Sequence, residues 1–246
     1  WLGNRTLLEQ AGPNPEKIQA NGWTWHDLGQ LAVGMPEQQL LLVGNPLRSE
    51  HLEYLKAMSV DEQQLAEQLE ELRKLGGTKK IPADYDRNII ERFLSGRTLL
   101  LAGVRPTVYS NLQQRRHKAK SVEDSEIVLL PAPHFSGVGE LQLIKPGIIN
   151  IYRNRSTKGD DHVAAAVKLG QFLSLYQNNV PWAQWGLYVD GNGAEATTND
   201  ERFFAELLQR SKLKCVTGSG DHELVRQIFS GKISRQQLWE YFNLKL

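Results

Sequence analysis

The side chains best suited to hold a cation are Asp190, Asn192 and Asp221. Asp190 closes the run Gly186-Leu-Tyr-Val-Asp190 and is followed by Gly191-Asn192-Gly193, while Asp221 follows Val216-Thr-Gly-Ser-Gly220 and precedes His222. A carboxylate at a strand end, flanked by glycines that let a hydrated ion approach the backbone, can hold Mg²⁺ through one or two oxygens and leave the remaining positions to water and phosphate. Asp190, Asn192 and Asp221 are therefore the candidate metal ligands, with Mg²⁺ the cofactor they would take. The competing reading makes them turn residues and a helix cap, roles that Asp and Asn fill for purely local reasons.

A second group is basic. Arg115, Arg116, Lys118 and Lys120 lie in one polar run, and Arg153, Arg155 and Lys158 lie in a second loop. If the two loops converge, they could neutralise phosphates, since each such contact releases counterions and needs no base code. Tyr109 and Tyr152 would offer stacking surfaces nearby. Glu123, Asp124 and Glu126 follow the first run at once, so an ordinary solvated loop is the alternative.

Other chemistry is poorly supplied. His134 and His162 are candidates for a base or a metal ligand, although a lone histidine beside turn prolines more often has a structural role. Ser136 lacks a Gly-x-Ser-x-Gly elbow, and neither a Gly-x-Gly-x-x-Gly nor a Gly-x-x-x-x-Gly-Lys loop occurs. Serine hydrolase, dinucleotide dehydrogenase and P-loop readings fall away. Gly44-Asn45-Pro46 and Gly103 stand at strand ends where a nucleotide pocket could form, and Cys215 reads as a small buried hydrophobe.

The elements that would position these groups follow a strand-loop-helix rhythm. Leu40 to Val43, Thr98 to Ala102, Ile127 to Leu130, Leu141 to Tyr152, Trp182 to Val189 and the stretch from Lys214 read as strands, the neighbours after Ile127 pairing antiparallel. Helices are predicted from Pro15, over Ser49 to Met58, from Ser59-Val-Asp-Glu62 through Leu75, over Tyr85 to Leu94, from Asp160, from Thr198 and from Ser234. Val163, Ala166, Val167, Phe172 and Leu173 should face a core, and Trp23 and Trp25 should be packing residues. The fold class is α/β, a mixed sheet flanked by helices. Two α/β lobes, residues 1–104 and 126–246, would be joined by the polar basic segment 105–125, with a single domain as the alternative.

Composition bounds the rest. The 29 Lys and Arg residues against 28 Asp and Glu give a net charge of +1, so any polyanion contact must be a local patch. A chain of 246 residues can bury a core without staples. One cysteine rules out an intramolecular disulfide and favours a reducing compartment, the cytoplasm by default. No apolar run approaches the ~20 residues of a membrane span. The first residue is Trp1, and the chain reads as part of a longer polypeptide.

The order of features from 186 to 226 resembles the C-terminal half of the Toprim fold of primases, topoisomerases and related nucleases. There a strand ends in an Asp-x-Asp pair, and a helix, a strand and an Asp-containing turn follow. Asn192 stands where the second Asp would be, and a clear upstream acid is lacking, because the family's Glu closes a strand whereas Glu140 runs into further strand. Val216-Thr-Gly-Ser-Gly-Asp221 is similar to the acidic strand end of PIN-like and NYN ribonucleases. Either likeness implies metal-assisted phosphodiester chemistry, or a descendant that only binds. The function expected from the sequence is thus a nucleic-acid-associated module contacting DNA or RNA backbone. The alternatives are a non-catalytic interaction or regulatory domain with protein partners, or a small-molecule or nucleotide sensor.

Overall fold

The computed structural model describes residues 1–82, 88–103, 108–109, 112, 127–144, 160–175, 199–215 and 222–245. The chain begins with β1 (Leu2–Asn4), α1 (Arg5–Ala11), α2 (Pro15–Asn21), α3 (Trp25–Gly34), β2 (Leu40–Gly44), α4 (Ser49–Met58) and α5 (Glu62–Gly77). It continues with α6 (Ile89–Leu94), β3 (Thr98–Ala102), β4 (Ile127–Leu129) and β5 (Leu141–Ile144). Then come α7 (Asp160–Leu175), α8 (Asn199–Arg210), β6 (Lys212–Cys215), α9 (His222–Phe229) and α10 (Arg235–Phe242).

A mixed four-stranded sheet, in the order β2-β3-β1-β4, forms the centre. β2 and β3 run parallel, with Leu42 opposite Leu100, and β1 is antiparallel to both β3 and β4. β2, β3 and β4 are near-continuous apolar runs because both faces of the sheet are covered. On one face Leu42, Leu100 and Val128 pack with α3, α5, α9 and α10. On the other, Val43, Leu101, Ile127 and Leu129 meet Phe93 of α6 and Phe203 and Leu207 of α8. The α/β class with a mixed sheet flanked by helices is the observed architecture.

Several local expectations hold for the reasons given. Pro15 opens α2 behind Asn14, whose Oδ1 accepts from the Lys17 amide at 2.8 Å. Ser234 and Gln237 form the reciprocal capping box of α10, at 3.1 and 2.9 Å. Trp23 and Trp25 are buried.

Others are corrected. The cap of α5 is Asp61, whose Oδ1 accepts from the Gln64 amide at 2.8 Å, whereas the Ser59 hydroxyl closes α4 by donating to the Leu55 carbonyl. β4 and β5 do not pair: β4 lies beside β1, and β5 forms a separate parallel pair with β6. β1 is an interior strand of the sheet although only three residues long, and no periodicity marks it. In α7, Val163 and Val167 do not face a core, being 37% and 41% exposed. Among the described residues, no helix is long and apolar enough to cross a membrane.

Candidate functional site

Asp190, Asn192 and Asp221, and with them Arg115, Arg116, Lys118, Lys120, Arg153, Arg155 and Lys158, lie outside the described residues. Among the described residues no three His, Cys, Asp or Glu side chains come together as a metal site. His162 is exposed near the start of α7. His134 acts through its backbone: its amide donates to the Trp23 carbonyl at 3.0 Å, and its carbonyl accepts from the Trp25 amide at 3.1 Å.

What the structure does assemble is the rim at the C-terminal ends of the parallel strands β2 and β3, the edge where open α/β sheets hold ligands. Gly44 ends β2 with φ +95, and a Cβ there would collide with the Ala102 carbonyl oxygen. Gly103 ends β3 with φ +63, and its Cβ would lie 2.6 Å from the Asn45 carbonyl oxygen. The two strand ends therefore cross at a distance that only glycine permits. Asn45, the residue between Gly44 and the buried Pro46, is exposed at this rim.

The turn after Asn45 leads into α4 through a packed polar group. Arg48 Nε and Nη2 donate to the two Glu50 carboxylate oxygens at 3.1 and 3.2 Å. Burial pushes the Glu50 carboxyl up, but hydrogen bonds from Arg48, its own backbone amide and Ser49 outweigh it, so the group sits below the usual carboxylate range. His51 Nδ1 accepts the Arg48 amide at 3.1 Å, which requires that nitrogen to be unprotonated. Burial is the first cause of its low pKa, about 4.

A pH prediction follows. His51 is neutral when folded, whereas in the unfolded chain it takes up a proton below its ordinary value near 6.5. Its contribution to stability is therefore full above pH 6.5 and declines as the pH falls from 6.5 to 4. His51→Gln keeps an acceptor for the Arg48 amide but does not titrate, so urea midpoints across this window should fall less in the variant than in the parent. Equal slopes would show that His51 carries no such linkage.

The sequence singled out Gly44-Asn45-Pro46 and Gly103 for a nucleotide pocket and missed Arg48, Glu50 and His51. Their signal was a run of polar residues, Arg48-Ser-Glu-His51, at the start of the helix that follows a glycine-ended strand. Glu140 does run into a strand, as the sequence indicated. This residue stands immediately before β5 rather than at the C-terminal end of a strand, and Oε2 accepts from Arg210 Nε at 2.7 Å and from the Ser211 hydroxyl at 3.2 Å. A metal-binding acid of the Toprim kind would need that carboxylate free and at a strand's far end.

The fold, a mixed sheet flanked by helices, is one that this chain shares over nearly its whole length with two solved structures. The chain is similar to the uncharacterized protein lmo0859 of Listeria monocytogenes, at a TM-score of 0.57 and 13% identity over 98% of this chain and 68% of that one. It is also similar to the sugar-binding protein MalE of the phytopathogen Xanthomonas citri, at a TM-score of 0.54 and 13% identity over 98% of this chain and 66% of that one. The chain thus spans about two thirds of each matched structure. No protein-family model matches the sequence. No curated protein matches it either.

These likenesses correct two expectations. The Toprim and PIN or NYN resemblance rested on about forty residues, while the fold likeness runs over 98% of the chain and leads elsewhere. The nucleic-acid reading drew its chemistry from that resemblance and from basic loops that lie outside the described residues, so the resemblance was its only structural support.

Proposed function

We propose that the protein binds a small molecule, with a sugar as the first class to test, at the rim formed by the C-terminal ends of β2 and β3. The observation that carries this reading is the likeness of nearly the whole chain to a sugar-binding protein. The rim supports it in chemical terms. Gly44 and Gly103 let the two strand ends close on each other, and the exposed Asn45 beside them offers both an acceptor and two donors to hydroxyl groups. Because about a third of the matched sugar-binding protein has no counterpart in this chain, affinity and selectivity belong to the proposal as well.

The test is thermal unfolding and calorimetry against a panel of neutral mono-, di- and trisaccharides. A sugar at ~100 times its Kd stabilises the folded state by about 2.7 kcal/mol, which for a chain of this size raises Tm by roughly 5–10 °C. Asn45→Ala removes an exposed side chain, so its own stability should stay within about 0.5 kcal/mol of the parent while the affinity falls about tenfold, the value of one ligand hydrogen bond. A panel without any Tm shift or heat would overturn the sugar reading. An unchanged affinity in Asn45→Ala would move the site away from this rim.

A further inference from the structure

We infer that the β5–β6 strand pair is a lever, pinned at its origin by Glu140 and Arg210 and latched along its length by the ion pair between Lys214 and Glu53. The inference is independent of what the protein binds. It starts from the pairing of these strands: among the described residues, two strands of four residues each are hydrogen-bonded to one another and to no third strand, and such a pair is marginal in water without outside support. That support comes from two places of different character.

The first is at the common origin of the strands. β5 starts directly after Glu140 and β6 directly after Arg210-Ser211, and the strands run parallel away from this point. The Lys212 amide donates to the Glu140 carbonyl at 2.9 Å, while Arg210 Nε and the Ser211 hydroxyl donate to the Glu140 carboxylate. Arg210 Nη1 donates in addition to the Gln19 and Ala20 carbonyls at 2.9 and 2.8 Å. Those carbonyls belong to the last turn of α2, so a residue far along the chain caps this helix. Glu140 Oε1 comes so close over Gly22 that any Cβ there would collide with it, and Gly22 has φ +72. The Glu140 side chain is only 9% exposed. A buried carboxylate held by a guanidinium that also serves two carbonyls is a fixed joint, because no partial arrangement satisfies all the groups.

The second support lies further out. Lys214 Nζ donates to Glu53 Oε2 of α4 at 2.9 Å, with side chains 39% and 68% exposed. An exposed Lys–Glu pair is individually weak and is screened by salt. The inner joint therefore persists under conditions that release the outer latch, and the strand pair, which lies against α4, turns about Glu140 and Arg210.

The experiment measures a distance. Spin labels at Val60→Cys, an exposed position before α5, and at Leu213→Cys, on the open face of β6, are introduced in a Cys215→Ala background and read by double electron–electron resonance. At low salt one narrow distance is expected. In 1 M NaCl, where the Debye length is about 3 Å, and in Lys214→Ala at low salt, that single distance is lost to a broader distribution with a shifted mean. Arg210→Ala broadens it further and lowers hydrogen-exchange protection of the Lys212 amide by roughly tenfold or more, whereas high salt and Lys214→Ala leave that amide protected. Glu140→Gln replaces Arg210→Ala if the latter does not fold. A distribution unchanged by both salt and Lys214→Ala would overturn the latch, and a Lys212 amide that keeps its protection in the joint variant would overturn the pin.

Discussion

Replacing Gly76 with alanine is expected to destabilise the protein by about 1–3 kcal/mol, the range for forcing one extra group into a close-packed contact. The same substitution one residue later, at Gly77, is expected to be neutral or to stabilise by about 0.4–1 kcal/mol. The two glycines end α5 side by side, and nothing in their sequence context separates them. Their surroundings do. A Cβ on Gly76 would overlap the Ile228 carbonyl oxygen and lie 2.9 Å from the Phe229 Cα, both backbone atoms of α9, so neither neighbour can turn aside as a flexible side chain would. α9 would have to move away from α5, loosening Leu224, Val225, Ile228 and Phe229 in the core at once. A Cβ on Gly77 meets nothing within 4 Å, so alanine there only reduces the freedom of the unfolded chain. Urea denaturation decides the matter: Gly76→Ala should lower the midpoint without changing the slope, and Gly77→Ala should leave it in place or raise it. Equal effects at the two positions would mean that α9 does not approach α5 as described.

Trp25→Ala is expected to cost about 3–5 kcal/mol, the usual loss on emptying a large aromatic site in a core. Trp25 is 2% exposed and joins three other rings, with centroid separations of 5.8 Å to Trp1, 6.1 Å to Phe135 and 5.9 Å to Phe229. These rings come from the chain's start, from the segment after β4 and from α9, so the indole fastens three remote stretches onto α3. Its Nε1 is buried without a hydrogen-bond partner, and Trp25→Phe consequently gives up volume but no hydrogen bond. The phenylalanine variant should lose less than half of what the alanine variant loses, because it keeps a ring in the site and removes an unsatisfied donor. Chemical denaturation followed by the remaining tryptophans measures both. If Trp25→Phe were as damaging as Trp25→Ala, an undescribed polar contact of the indole, rather than its packing, would carry the stability.

Much of the secondary structure was legible because its cause is local. The runs Leu40 to Val43, Thr98 to Ala102 and Ile127 to Leu129 are apolar on both faces, and both faces are buried. Pro15 and the Ser234–Gln237 pair set helix starts through backbone groups within four residues of themselves. The misplaced cap of α5 was local as well, since Ser59 and Asp61 are both good caps and only the packing of α4 against the loop decides which one serves.

The candidate site was legible in part. The glycines after β2 and β3 stand out in the sequence, but the reason for them, a backbone crossing between residues nearly sixty positions apart, does not. Glu140 shows the same limit in reverse. As a sequence feature it is an acid that runs into a strand and has no assigned partner, and only its position over Gly22, bound to Arg210, makes it the anchor of a strand pair.

By itself, then, the sequence determined the class: an α/β chain with apolar strands covered on both sides, helices flanking them, and glycines at strand ends. It could do so because hydrophobic periodicity, caps and turn residues act over a few positions. Only the tertiary structure decided which strands are neighbours, that the three residues of β1 sit inside the sheet, that β5 leaves it to pair with β6, and that Arg210 reaches back to α2. The physical reason is that a pattern states which face of an element must leave water, while the choice of partner depends on the combined packing of surfaces brought from distant parts of the chain.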